Sequence, residues 1–158
     1  MPPTVDAHEI TPGLWLGACP ATPEFIRALR SEHGVTSLVS MQTDADLAGL
    51  GLSWPLLWRF LMANGISTTR VPIVDFDQRA LYRGLTEAVA AIAASQRDGN
   101  VTYVHCTAGI NRSPTTVIAY LVRHGGLDLD AAWELVESRR SVVPDREVLA
   151  AWLEGREL

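Results

Sequence analysis

The sequence predicts an α/β fold, with a central, mostly parallel sheet flanked by helices. Three observations predict it. Short β-rich runs alternate with amphipathic segments of helical period along the chain. Each helical segment carries its own start and stop signals. The 158 residues, 47% of them hydrophobic and 20% charged, suit a single domain over 1–158 with one core.

The elements follow in order. Residues 1–9 read as a flexible N-terminal segment. "ITPGLWLG" (Ile10 to Gly17) reads as a turn and then a short strand. Thr22 before Pro23 is an N-cap with proline at the first helical position, and Gly34 stops that helix. Its apolar positions Phe25, Ile26 and Leu29 have helical spacing. "VTSLVS" (Val35 to Ser40) is a buried strand. Asp44 and Asp46 in "QTDADL" fall in a loop on the structural side. Ser53 to Gly65 is a capped helix, and "STTRVPIV" (Ser67 to Val74) is a strand that Pro72 restricts to an edge or irregular position.

A loop with Asp75 and Asp77 comes next. The following helix places Leu81, Leu85, Val89 and Ile92 on one face. "VTYV" (Val101 to Val104) is a strand. Ser113 and Pro114 open a helix that Gly125 and Gly126 end. Asp128 or Asp130 caps the next, through "AAWELVESRR". Pro144 and Asp145 begin the last, with Val148, Leu149, Trp152 and Leu153 as its apolar face. Ligands of such sheets lie beyond the carboxyl ends of the strands, where both the Asp75 loop and the residues after Val104 fall.

Composition excludes several classes. A net charge of −5 argues against an electrostatic nucleic-acid binder. No apolar run reaches the roughly 18 residues of a membrane span. The chain opens with prolines, Asp6 and Glu9, unlike a secretory signal. Two cysteines, Cys19 and Cys106, make no disulfide framework and fit a reducing, cytoplasmic setting, with Cys19 an ordinary unpaired thiol. All 13 basic residues are arginine. Core packing is the expected role of each of the five tryptophans, Trp15, Trp54, Trp58, Trp133 and Trp152.

The most informative stretch is "VHCTAGINRS". Five residues, Thr107 to Asn111, separate Cys106 from Arg112, between a strand end and a helix start. A loop of this length can wrap one tetrahedral anion with its amides pointing inward. The helix beginning near Ser113 adds the positive end of its dipole. Gly109 allows backbone angles that a side chain forbids, and Arg112 offers a planar fork to two phosphate oxygens. The same features favour a thiolate at Cys106. Ser113 is placed to hydrogen-bond the sulfur, and His105 to orient the loop without transferring a proton. The composite His-Cys-x-x-Gly-x-x-Arg-Ser occurs by chance on the order of once in ten thousand chains this long.

That loop resembles the signature of the cysteine-dependent dual-specificity phosphatases. "ITPGLWLG" is similar to the family's opening strand, "VPIVDFD" to its general-acid segment, and "RSPTTVIAYLVRHGGLDLDAAWELVESRRSVVPD" to its two helices after the loop. The resemblance implies a dual-specificity-phosphatase-like fold built on a strand, a phosphate loop and a helix. It makes Cys106 the nucleophile, Arg112 the phosphate clamp and Ser113 the residue assisting the thiolate. The amides of Thr107, Ala108, Gly109, Ile110, Asn111 and Arg112 would hold phosphate oxygens. It implies no cofactor and no metal.

Such chemistry needs an acid to protonate the leaving oxygen. Asp75 and Asp77 are the candidates. The family's acid directly follows the hydrophobic-Pro strand end, which points to Asp75 and leaves Asp77 to cap a helix. Arg79, Arg139, Arg140 and Arg146 are candidates to border the pocket and favour anionic substrates. The expected substrate is phosphotyrosine, with phosphoserine and phosphothreonine, on proteins. "SMQTDADLAGLG", "VDFD" and "VTYVHCTAG" look like the phosphoglucan phosphatase branch, which carries Gly where this chain has Asn111. Phosphoglucan, phosphoinositide or RNA 5′-phosphate substrates, and a catalytically silent phosphate-binding module, are the alternatives.

Overall fold

The computed structural model describes residues 5–158. Five strands form one sheet in the order β1-β2-β5-β3-β4. They are β1 (Ala7–Thr11), β2 (Leu14–Gly17), β3 (Ser37–Ser40), β4 (Ser67–Arg70) and β5 (Thr102–His105). β1 and β2 are antiparallel; β2, β5, β3 and β4 run parallel to one another. Helices α4 (Gln78–Arg97), α5 (Arg112–His124), α6 (Leu129–Arg139) and α7 (Arg146–Glu154) pack over one core, centred on Val39, Val104, Leu85, Ile118 and Leu149. Helices α1 (Pro23–Ser31), α2 (Asp44–Gly49) and α3 (Trp54–Ala63) cover a second, around Leu29, Leu38, Leu61 and Tyr103. This is the α/β arrangement that the sequence predicts.

Caps set most helix ends where the sequence puts them. The Thr22 hydroxyl accepts from the Phe25 amide, Asp77 from Ala80, Asp128 from Ala131 and Asp145 from Val148. Asp128, not Asp130, therefore caps α6. Val71 and Ile73 donate to Ser40 O and Met41 O, so the backbone beyond β4 stays attached to β3 while Pro72, between them, needs no partner. β4 lies at the sheet edge, as Pro72 suggests.

Three expectations are corrected. Residues 1–9 do not form a flexible segment throughout. Ala7–Thr11 is a strand, hairpinned to β2 through Pro12 and Gly13, whose φ is +83°; residues 1–4 lie outside the described residues. An irregularity in register between Glu9 and Thr11 breaks the alternation that would have marked the strand. Asp44 and Asp46 are not in a loop. They start α2, which Thr43 and Asp46 close with a reciprocal capping box. Trp58 is not a core residue. α3 buries Leu57 and Leu61 and leaves Leu56, Trp58, Phe60 and Met62 exposed.

β5 occupies the middle of the sheet, with β2 and β3 on either side. Its carboxyl end is therefore supported laterally by two strands, and α5 begins seven residues later, with every position from Arg112 to Ala119 buried. Strand and helix together fix both ends of the intervening loop.

Candidate active site

The loop from Cys106 to Arg112 is held by its carbonyl groups. Cys106 O accepts from His105 Nδ1 at 2.8 Å, and Thr107 O accepts from the Cys19 amide at 2.9 Å. Ala108 O and Gly109 O accept from Arg140 Nη2 and Nε at 2.9 and 2.8 Å. Ile110 O accepts from the Val143 amide at 2.7 Å, and Asn111 O from the Thr115 amide and hydroxyl at 3.0 and 2.7 Å. Six successive carbonyls thus point away from the loop's centre. Among the described residues, the amides of Thr107 to Asn111 find no acceptor in the protein. Donors left free in a concave loop at a helix N-terminus make an anion cradle.

Gly109 is required twice over. Its φ is +69°, and a Cβ there would lie 2.4 Å from the backbone of Gly17 and 2.8 Å from Arg140 Nη2. Cys106 Sγ lies 3.1 Å from Ser113 Oγ. With sulfur as thiolate, the hydroxyl must be the donor. His105 is fully buried and stacked on Tyr103. Burial pushes its imidazole down to about 4, against a lift from the bond to Cys106 O and with a further push down from the charge of Arg112. Since a carbonyl only accepts, the proton sits on Nδ1 and the ring is neutral near pH 7.

Arg112 is 2% exposed, and its guanidinium is shared out by edge. Nη1 donates to Asp46 Oδ2 at 2.7 Å and to Ile73 O at 2.8 Å. Nη2 contacts Thr107 Oγ1 at 3.3 Å and Asp75 Oδ2 at 3.2 Å. Nε is buried and has no partner among the described residues. The Nη1 side is therefore pinned, while Nε and Nη2 form the edge available to an anion. A buried donor without a partner costs about 1–3 kcal/mol, which a bound oxyanion would recover. Burial pushes the Asp46 carboxyl up, but the bond from Arg112, the Thr43 amide and the Arg112 charge outweigh it and hold it below its ordinary value.

Asp75 shares a cavity of about 220 Å³ with Phe76, Cys106, Ala108, Ile110, Asn111 and Arg112. Asp77 does not line that cavity; it caps α4. Phe76, between them, has a left-handed φ of +57° and is 99% exposed. That conformation is costly for an aromatic residue. Here it leaves Asp75 against Arg112 and stands the Phe76 ring at the cavity rim.

Every residue singled out from Cys106 to Ser113, with Asp75 and His105, is thus brought together. The arginine expectation is not met. None of Arg79, Arg139, Arg140 and Arg146 lines either cavity beside the loop. Arg146 lies over Trp133, and Arg140 is buried behind the loop with Nη1 on Asp6 at 2.7 Å. Sequence reasoning missed Asp46 and Arg140 as loop supports. The capping box Thr43–Asp46 was the one local signal that Asp46 is fixed. Cys19 is a free, buried thiol, pushed up to about 11 chiefly by burial.

A strand, a Cys-x5-Arg cradle with inward amides, a helix and a facing carboxylate are the architecture of a cysteine-dependent phosphatase. The chain belongs to the dual specificity phosphatase family: the model of its catalytic domain matches residues 14–155. It is 35% identical over 147 residues to the amyloplastic phosphoglucan phosphatase DSP4 of Castanea sativa, covering 92% of this chain and 39% of that protein. It is 30% identical over 145 residues to dual specificity protein phosphatase 12 of Mus musculus, covering 90% and 38%. The chain thus spans well under half the length of these relatives. Among solved structures, Tk-PTP in its active form superposes with a TM-score of 0.77 at 22% identity, covering 98% of this chain and 97% of that one, a likeness of fold.

Proposed function

We propose that the chain hydrolyses phosphotyrosine on proteins through a cysteinyl-phosphate intermediate. The observation that carries this is the joint lining of one cavity by Cys106, Arg112 and Asp75 under apolar walls from Phe76, Ala108 and Ile110. A dianion fits the cradle, and an aryl group fits the walls.

In the first step the Cys106 thiolate attacks phosphorus in line with the ester oxygen. The loop amides and the Nε–Nη2 edge of Arg112 hold the three non-bridging oxygens, where charge spreads in the transition state. The incoming phosphate takes Nη2, which releases Asp75 from its 3.2 Å contact. Freed from the cation, Asp75 takes up a proton from solvent and delivers it to the phenolic oxygen as the P–O bond breaks, leaving a neutral phenol and an Asp75 carboxylate. In the second step Asp75, now a carboxylate, takes a proton from water as it attacks the phosphocysteine. The Ser113 hydroxyl stabilises the departing thiolate from 3.1 Å. His105 stays neutral and holds the Cys106 carbonyl away from the phosphate. The chemistry calls for a reducing compartment such as the cytoplasm, where Cys106 stays reduced.

A phosphoglucan substrate is the second reading. It is favoured by the 35% identity to a phosphoglucan phosphatase across 92% of the chain. The deciding experiment compares wild type with Cys106→Ser on p-nitrophenyl phosphate, then on phosphotyrosine and phosphothreonine peptides, phosphoglucan, phosphoinositides and 5′-triphosphorylated RNA. Hydrolysis by wild type alone, persisting in EDTA and greatest on phosphotyrosine peptides, is the expected result. Greater hydrolysis of phosphoglucan would replace this substrate with the second reading. Hydrolysis retained by Cys106→Ser would overturn the mechanism.

A further inference from the structure

A second cavity, of about 390 Å³, opens beside the first and shares Phe76, Ile110, Asn111 and Arg112 with it. Val74, Leu81 and Val143 add apolar walls, and Asp77, Gln78 and Asp145 close one end. The volume is that of roughly a dozen waters, so it accommodates a large side chain.

Its charges are one-sided. Among the described residues Arg112 is the one cation in the lining; its Nη1 is committed to Asp46 and Ile73, and its Nε–Nη2 edge is taken by the phosphate in the first cavity. Asp77 and Asp145 are both in the wall. Gln78 Nε2 also reaches Asp145 at 2.9 Å and Glu147 at 3.3 Å, adding a third carboxylate at that end. A second phosphate or an acidic side chain would find no free cation here and up to three like charges. An uncharged apolar group would cover Val74, Phe76, Ile110 and Val143, which are exposed by 57, 99, 43 and 67%.

The groove is built in advance. Val143 donates its amide to Ile110 O at 2.7 Å, and its carbonyl accepts from Asn111 Nδ2 at 2.8 Å. The outer wall is thereby tied to the phosphate loop itself. Asn111 caps α5 by position but makes no side-chain cap bond, its amide being used for this tether. Because the two cavities share a wall, a substrate whose phosphate fills the first can reach the second with an adjoining group.

We propose that this groove is a specificity site for an apolar side chain next to the phosphotyrosine, and that it excludes acidic or doubly phosphorylated neighbours. The proposal rests on the protein-phosphotyrosine reading. It is tested with the full chain and synthetic phosphotyrosine peptides that carry Leu, Glu or phosphothreonine on either side of the phosphotyrosine. p-Nitrophenyl phosphate serves as a reference too small to reach the groove. The expected result is a kcat/KM at least about tenfold higher for Leu than for Glu or phosphothreonine at one flanking position. In Val143→Arg the ratio should move toward the acidic peptides. The ratio is read within each variant, so any change in basal turnover divides out. Peptides hydrolysed alike whatever their neighbour would overturn the groove's role and leave the substrate reading standing. Turnover of p-nitrophenyl phosphate with no peptide hydrolysed would overturn the substrate reading itself.

Discussion

Replacing Asp46 with alanine tests whether the orientation of Arg112 is set from outside the loop. The pair is short, 2.7 Å, and its side chains are 2 and 16% exposed. Breaking a fully buried ion pair costs about 3–5 kcal/mol. Partial exposure of Asp46 lowers that, and Ile73 O at 2.8 Å remains on Nη1. Loss of one charge-assisted bond, worth about 1.5–3 kcal/mol, is the closer estimate. Two consequences separate a role in positioning from a role in stability. Freed on the Nη1 side, the guanidinium can turn its fork toward Asp75, the remaining carboxylate at 3.2 Å. Phosphate then loses the Nε–Nη2 edge. We expect kcat/KM for p-nitrophenyl phosphate to fall by about 10- to 160-fold, the same interval expressed as a rate, with inhibition by vanadate weakened in parallel. Asp46→Asn, which keeps one acceptor, should fall between. The assay is steady-state kinetics with a vanadate inhibition constant, beside a melting curve. A lower Tm with unchanged kcat/KM and unchanged vanadate inhibition in the folded fraction would refute the reasoning.

Asp75→Asn should cut turnover strongly and Asp77→Asn only mildly, since Asp75 alone lines the cavity with Cys106; kinetics showing the reverse order would exchange their roles. Arg140→Leu removes the donors to Ala108 O and Gly109 O. It should lower kcat/KM by more than about tenfold as the amides lose their direction, whereas Asp6→Ala, which loses one half-exposed partner of that arginine, should cost far less. His105 predicts acid sensitivity. Its folded value of about 4 lies below the ordinary 6.5, so the unfolded chain binds the proton first as pH falls. The stability is complete above about pH 6.5 and declines by roughly 3 kcal/mol on going down to pH 4. Denaturant titrations of wild type and His105→Asn across that range should show the slope in the former and much less of it in the latter.

What was legible in the sequence is what the chain specifies locally. Cys106, Arg112 and Ser113 are read together because a strand, a five-residue loop and a capped helix adjoin in the sequence. The Asp77, Asp128 and Asp145 caps act within three residues of themselves. Asp46 and Arg140 were not legible as loop supports, since their contacts cross 66 and about 30 positions and depend on how α2 and α6 come to rest on the sheet. β1 escaped because its register irregularity spoils the alternation, and α2 because six residues hold too little periodicity. The substrate groove falls in the same class. Val74, Ile110 and Val143 share a wall only after three separate loops have folded.

The contact between Gly17 and Gly109 sets backbone directly against backbone, with no side chain between that could repack. Whatever displaces the end of β2 therefore displaces the phosphate cradle by a similar amount. The hairpin partner of β2 is short, lies at the sheet edge and is anchored to the loop by Asp6 through Arg140. Edge elements of this kind open well below the global transition. On warming, fraying of β1 should withdraw only Ala7 and Ile10 from the two hydrophobic cores and inactivate the protein while the rest of both is still packed, so that loss of catalysis precedes melting.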